Sequence, residues 1–435
     1  MAVSAIDTNN DMDIDSIAQK SIEGGFAKAA QPAAAHNDNR PITTAKDNKS
    51  SKSTASHSQI GLFVGTNAAA HYIASDILID LAEHGISCKI FLTKVKPKND
   101  KHRERLNRPE VQMQNFIEQL VITRGYPFLE SHPTILTDDG ELDPDLKYTP
   151  KQIADYYNAK GKVTITIEEI DDINAPEFID RMAKDKTIER FYNLRNMQIL
   201  GQNLINAIEG YNFPNGMKRQ AINIHPGNVI TFPGTHTVFW ARYKKSPQNC
   251  WSMHVIDQGI DTGPFLHITS SLFKKGKTIL QDLLGMVPRV SNMILDDINL
   301  FIMGIKRPEI SQQTHNEYKN RPKKLYTYAE HKDYLDAQAR GIHIYKNEIV
   351  QAYAKDYTGS LTSELSIGLQ RVMAQDLLDW QKHYLTLYQA AYGTHPPEYD
   401  PQKPDDYFVK VPPPYVPPQP AQNPAAPPPP TPQDP

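Results

Sequence analysis

"IGLFVGTNAAAHYIASDILIDLAEHGISCKIFLTKVKP", residues 60–97, decides the fold class. Ile60–Val64 is a short unbroken apolar run, the mark of a strand covered on both faces. Gly65-Thr66-Asn67 then makes a tight turn, and over residues 69–84 the side chains Ile73, Ile77, Leu78 and Leu81 share one helical stripe. Gly85 ends that helix, and Ser87–Thr93 is a second predicted strand. A strand–helix–strand opening of this kind implies parallel pairing through a right-handed crossover, with helices on the faces of the sheet. The expected class is α/β with a mostly parallel sheet.

Further elements follow outward from this unit. "KPKNDKHRERLNRPE" is a strongly basic loop, either a solvated surface segment or a landing area for an anionic substrate or cofactor tail. Residues 110–122 predict an amphipathic helix, and Thr149-Pro150 supplies an N-cap and first helical position for a helix to about Asn158. Residues 162–170 alternate as a strand, Pro176–Lys184 is a short helix, residues 187–194 a central strand and 197–208 a helix. Ala221–His225 is a strand that stops at Pro226-Gly227. Past residue 270 the pattern is helical: 277–304, then segments near 330–340 and 360–390. "GIHIYKNEIVQAYA" (341–354) fits a strand or a helix.

Bulk properties bound the reading. The chain has 435 residues and 39% hydrophobic content, and the shortfall is local. Residues 1–57 are poor in large apolar side chains and expected to be disordered. Residues 403–435 are a Pro-rich tail of polyproline II character, a tether or a ligand for aromatic grooves of a protein partner. Between them lie a sheet-bearing domain, 58–270, and a mainly helical region, 271–402. A net charge of −3 gives nucleic-acid binding no general support. Cys88 and Cys250 lack both a disulfide framework and zinc-site spacing, which fits a reducing cytoplasm and no metal. The N-terminus shows no signal-peptide pattern, and no window reaches the apolar length of a membrane span.

Asn223 and His225 sit two residues apart, so both point from one face of their strand. Asp261 lies in "DQGIDTGP" (257–264), a Gly-bearing loop between strands expected at 250–256 and from Phe265. In open parallel sheets ligands bind beyond the carboxyl ends of the strands, where these groups can meet. Asn, His and Asp without Ser, Cys or metal-ligand spacing do not make a hydrolytic triad. They suit acyl-type transfer to a nucleophile brought by the substrate: amide and imidazolium stabilise developing negative charge, and the carboxylate keeps the His charged.

Asn223-Ile224-His225-Pro226, then Phe232-Pro233-Gly234, then His254-Val255-Ile256-Asp257-x-Gly259-x-Asp261-Thr262-Gly263-Pro264 resembles the folate-dependent formyltransferase family. Glycinamide ribonucleotide and methionyl-tRNA formyltransferases are its best-known members. Gly234 falls nine residues after His225, and His254 seven before Asp261, as in the family. The resemblance is dense over residues 190–268 and diffuse over 58–130. It implies a Rossmann-like formyltransferase domain that uses 10-formyltetrahydrofolate to formylate an amine, without a metal. Asn223 would bind the formyl oxygen, His225 would stabilise the oxyanion, and Asp261 would tune His225 and relay the proton. Met197-Gln198-Ile199-Leu200 is similar to the family's folate-lining stretch, with Gln198 where the family has Arg. Asp257, Gln258, Gly259 and Ile260 would receive the pterin through backbone groups. Gly65, Thr66, Asn67 and Gly234 would face the acceptor, the first three in place of a Gly-rich phosphate loop.

The acceptor is left open between an amino-sugar nucleotide and a purine precursor such as glycinamide ribonucleotide. The alternatives are a formyltetrahydrofolate hydrolase, a methionyl-tRNA formyltransferase, or a folate-binding scaffold without turnover. Residues 311–395 carry ten Lys/Arg against nine Asp/Glu, which disfavours an RNA-holding module. His254, His236 and Thr237 fit structural or functional roles equally. Trp240 and Phe239 read as core, and the Met and aromatic residues of the C-terminal helices as core or as the surface of a homo-oligomer.

Overall fold

The computed structural model describes residues 59–95, 97, 99–124, 149–161, 163–195, 198–213, 218–305, 307, 312–321, 324–355 and 364–411. Seven strands carry the fold: β1 (Gln59–Val64), β2 (Ser87–Thr93), β3 (Ile165–Ile170), β4 (Ile188–Leu194), β5 (Gln220–His225), β6 (Gln248–Val255) and β7 (Phe265–Leu272). They form one sheet in the order β3-β2-β1-β4-β5-β6-β7. The first five pair in parallel, and β6 and β7 are antiparallel additions. The chain builds outward from β1 to β3, then returns beside β1 as β4. The strand order therefore reverses between β1 and β4, which opens a crevice at their carboxyl ends.

The described helices are, in chain order, α1 (Ala68–Glu83), α2 (Asp100–Leu106), α3 (Pro109–Arg124), α4 (Pro150–Ala159), α5 (Pro176–Lys184), α6 (Gln202–Glu209), α7 (Thr237–Tyr243), α8 (Ile279–Leu284), α9 (Val287–Ile302), α10 (Gln312–Lys319), α11 (His331–Ala339), α12 (Asn347–Lys355), α13 (Glu364–Tyr392) and α14 (Pro404–Tyr407). The chain divides into two compact units at Lys346/Asn347. In the first, α1 packs on β1 and β2 and against α4 and α9. The other face carries α5 and α6, whose Phe178, Met182, Leu204, Ile205 and Ile208 meet Phe63, Phe91 and Phe191. Phe63 lies 5.3 Å from Phe91 and 5.5 Å from Phe191, centroid to centroid, with Phe178 edge-on to Phe63 and Phe91. Gly61 makes room for this stack, since a Cβ there would stand 2.6 Å from the Phe191 ring. Phe63 is fully buried, so Phe63→Ala is expected to cost about 3–5 kcal/mol of stability, read as a lower urea midpoint at unchanged slope.

Several expectations need correction. The basic stretch is not all loop: Asn99 accepts from the His102 N–H at 2.9 Å and starts α2. The helix expected over 197–208 begins only at Gln202, because buried Gln198 and Leu200 pack ahead of Gly201. The helix expected over 277–304 is two, α8 and α9, interrupted at Gly285 and restarted with Pro288 in its first turn. Residues 347–355 are helical, and α10 is an element the sequence pattern did not single out. A boundary at 270/271 falls inside β7, and residues 271–346 belong to the first unit.

The second unit holds α12, α13 and α14. Residues 404–411, expected within the disordered Pro-rich tail, are folded. Tyr407 and Val409 are buried; the Tyr407 carbonyl accepts from Asn347, Gln351 and Gln381 side chains at 2.8 Å each, and the Val409 N–H donates to Gln381. The disorder expected for residues 1–57 and the remainder of the tail lies outside the described residues. Among the described residues, no helix is long and apolar enough to cross a membrane.

Candidate active site

The strand pattern places three polar side chains in one row. Asn193 on β4, Asn223 on β5 and His254 on β6 are direct register partners across adjacent strands. Asn193 donates to the Asn223 Oδ1 at 2.8 Å, and the Asn223 Nδ2 lies 3.0 Å from the His254 Nε2. The His254 Nδ1 is 2.9 Å from the Val255 carbonyl, which only accepts, so Nδ1 carries a proton.

Asp261 arrives from the loop between β6 and β7 and turns back over this row. Its Oδ2 accepts from the Gly234 N–H at 2.7 Å and lies 3.4 Å from the His225 Nδ1. Its Oδ1 faces the Asn223 Nδ2 at 3.3 Å and the His254 Nε2 at 3.4 Å. The loop that delivers it depends on two glycines: a Cβ at Gly263 would clash with the Val255 carbonyl, and one at Gly259 with Thr262. Asp257 closes the loop by accepting from the Gly259 N–H at 3.1 Å and the Thr262 hydroxyl at 2.5 Å. Asp261 itself has φ 56°, a left-handed conformation costly for a non-Gly residue. Its carbonyl is held from outside the loop by Arg321 at 2.5 Å and by the Tyr318 hydroxyl at 3.2 Å. Tyr318 also donates to the Gly263 carbonyl.

These two anchors come from α10 and the segment after it, where the sequence offered no signal beyond an aromatic and a cation. Arg321→Leu is expected to lower kcat about tenfold by loosening the Asp261 backbone. Comparison of kcat with KM checks this, KM staying near its wild-type value.

His225 is buried, and both ring nitrogens face acceptors: Nδ1 the Asp261 carboxylate and Nε2 the Phe232 carbonyl at 3.0 Å. Burial alone pushes its pKa down, but the Asp261 charge and these hydrogen bonds outweigh burial and raise it above the ordinary value, with Arg195 opposing. Burial likewise pushes the Asp261 carboxyl up, yet His225 and His254 beside it hold it well below the usual carboxylate range. The pair is thus set as imidazolium and carboxylate. His225 spends both N–H groups inside the protein, so it can stabilise negative charge as a nearby cation rather than as a spare donor. His236, φ 58°, is pushed down to about 3 by burial and by Arg195 and Arg108, and stays neutral.

These groups open on a cavity of about 440 Å³ at the crevice between β1 and β4. Asn223, His225, Asp261 and Gly234 line it, as do Thr66 and Asn67. Gly65 stands behind the wall, where a Cβ would meet the Arg195 carbonyl at 2.3 Å. Ile199, Leu200, Ile256 and Ile260 form an apolar side; Ile199 and Ile260 are each 43% exposed although large. Asp257 and Gly259 line the cavity too, Gln258 is exposed and is not among the lining residues, and Met197 lies outside the described residues. Gln198 borders the cavity, but its amide is spent on Ile173, Lys94 and Asp171 backbone groups at 3.0, 2.8 and 2.9 Å. It therefore fixes the wall rather than presenting a free donor.

Sequence reasoning missed Asn193, Arg195 and residues 325–328. Gly234 and Tyr326 form an isolated bridge that brings Leu325, Tyr326, Thr327 and Tyr328 to the cavity. Gly234 has φ 109°, and a Cβ there would lie 2.2 Å from the Tyr326 carbonyl. Among the described residues, no group of three or more His, Cys, Asp or Glu is placed to hold a metal ion.

No protein-family model and no curated protein matches this chain. Solved structures do. A glycinamide ribonucleotide transformylase from Symbiobacterium toebii is 13% identical, with 61% of this chain and 95% of that one covered and a TM-score of 0.35. A sugar N-formyltransferase from a Shewanella species is 11% identical, covering 74% of this chain and 87% of that one at a TM-score of 0.35. An N-formyltransferase from Helicobacter canadensis, solved with folinic acid and dTDP-3-aminofucose, is 13% identical, covering 58% of this chain and 69% of that one at a TM-score of 0.32.

Proposed function

We propose that this chain transfers a formyl group from 10-formyltetrahydrofolate to the primary amine of a small acceptor, an amino-sugar nucleotide or a purine precursor such as glycinamide ribonucleotide. The observation that carries the reading is the convergence of Asn223, a charged His225 and Asp261 on one cavity. Cys88 and Cys250 are buried in the sheet and do not line that cavity; in the proposed reaction the nucleophile is the amine of the acceptor.

The cavity fits such a donor: its volume lies in the range of small-molecule sites, with an apolar side and a few convergent polar groups. Ile199 and Ile260 offer apolar faces to a flat ring, and the Asp257–Asp261 backbone offers donors and acceptors at its edge. When bound, the donor supplies an activated formyl carbon and a leaving nitrogen.

The residues then divide the work. An Asn223 N–H leaves its 3.3 Å contact with Asp261 for the formyl oxygen, aimed by the Asn193 amide that holds its Oδ1. The His225 imidazolium balances the negative charge that grows on that oxygen. Asp261 keeps His225 charged and accepts the proton that the attacking amine loses. Its depressed pKa makes it a brief carrier, passing that proton on to the leaving nitrogen.

The test is mass-spectrometric screening of amine metabolites with the formyl donor, wild type beside His225→Ala. Gain of one formyl unit by an amine with wild type alone supports the proposal. Donor consumed equally with and without every amine would point instead to hydrolysis by the same residues.

A further inference from the structure

The N-terminus of α1 faces the cavity through Thr66 and Asn67. A helix start after the first strand of an open α/β sheet is a ready position for a phosphate, because unpaired N–H groups and the helix dipole both favour an anion. In this chain an anion from the protein already stands there. Glu118 on α3, 3% exposed, brings its Oε2 to the Ala68 N–H at 2.9 Å, fifty residues away in sequence. Its Oε1 accepts from Gln114 at 2.8 Å, which fixes the carboxylate in that pose.

Other groups of the turn are also engaged from within. Asn67 Oδ1 accepts from the Ala70 N–H at 3.0 Å, and Asn67 Nδ2 donates to the Arg195 carbonyl at 3.1 Å. The Gly65 N–H donates to Leu194 at 3.1 Å, and Gln119 donates to the Thr66 carbonyl at 3.1 Å. A phosphate entering here would have to displace Glu118 from Ala68 or sit against its charge.

We propose that Glu118 is a specificity-determining residue: it fills the anion position of α1 from inside the chain and excludes amine acceptors whose phosphate would lie at the turn after β1. This rests on the formyl-transfer reading for the word acceptor, but the exclusion itself is a property of binding. The favoured acceptor class brings no phosphate to the turn, where Arg195 already feels the Glu118 charge. Any phosphate it carries is held elsewhere, for example toward Lys101, His102 and Arg105, which also line the cavity.

The test titrates inorganic phosphate into the full chain labelled with ¹⁵N-alanine, reading the Ala68 amide, with calorimetry in parallel. The wild-type Ala68 resonance is expected to stay still, while Glu118→Ala gains phosphate at that amide about tenfold or more tighter. Glu118→Gln, which keeps the shape and drops the charge, is expected to move the same way by a smaller factor and serves if the alanine variant does not fold. Wild type binding phosphate at Ala68 as tightly as either variant would overturn the proposal. So would a wild-type preference for a phosphorylated amino sugar that disappears when Ala68 is perturbed. Failure of wild type to formylate any amine leaves the phosphate titration intact and counts against the formyl-transfer reading alone.

Discussion

Asp261→Asn is expected to lower kcat by about 10³-fold or more and to destabilise the folded chain by about 3–5 kcal/mol. The activity loss follows from geometry: one carboxylate touches the Gly234 N–H, His225, Asn223 and His254. The amide that replaces it keeps a similar shape but leaves a buried imidazolium without its partner. His225 then gives up its proton and ceases to balance charge on the formyl oxygen. Steady-state kinetics and urea melts measure the two effects separately. Loss of stability without loss of turnover would reduce Asp261 to a structural role.

His225→Ala is expected to cost about 10²–10³ in kcat, and the double variant with Asp261→Asn hardly more than the worse single variant, because the two act as a unit. The pH dependence follows from the directions of the shifts. His225 is raised, so the stability it contributes is complete below its unfolded value of 6.5 and is lost as pH rises through its folded pKa. Asp261 is depressed, so its contribution is complete above its unfolded 3.8 and is lost as pH falls towards its folded pKa. The pair therefore holds across neutral pH. Activity is expected to fall on the alkaline side with the His225 titration, and in Asp261→Asn that limb moves to lower pH. A kcat profile indifferent to both substitutions would contradict the pairing.

Much of the site was legible because strand periodicity and loop glycines are local signals. Asn223 and His225 had to share a face, and Asp257–Gly263 had to be a tight connection, whichever way its strands ran. The parallel β1–α1–β2 opening likewise implied a ligand crevice at the carboxyl ends of the strands, while its place between β1 and β4 follows from β4 returning beside β1. What sequence could not supply was long-range. Asn193 matters only because β4 lies beside β5 in register, and Tyr318 and Arg321 only because α10 returns to the Asp261 carbonyl. Gln198 shows the converse: its position in a motif suggested a ligand contact, while its amide is consumed by three backbone groups. Glu118 belongs to α3, whose residue pattern gives no hint that a buried carboxylate caps another helix.

The charge state of His225 is the point on which the chemistry turns, and ¹⁵N NMR of the imidazole ring reads it without knowledge of the acceptor. At neutral pH both ring nitrogens of wild type are expected to show protonated shifts, with a titration above 6.5 that drops in Asp261→Asn. A neutral ring at pH 7 in wild type, or a titration unmoved by Asp261→Asn, would contradict the mechanism.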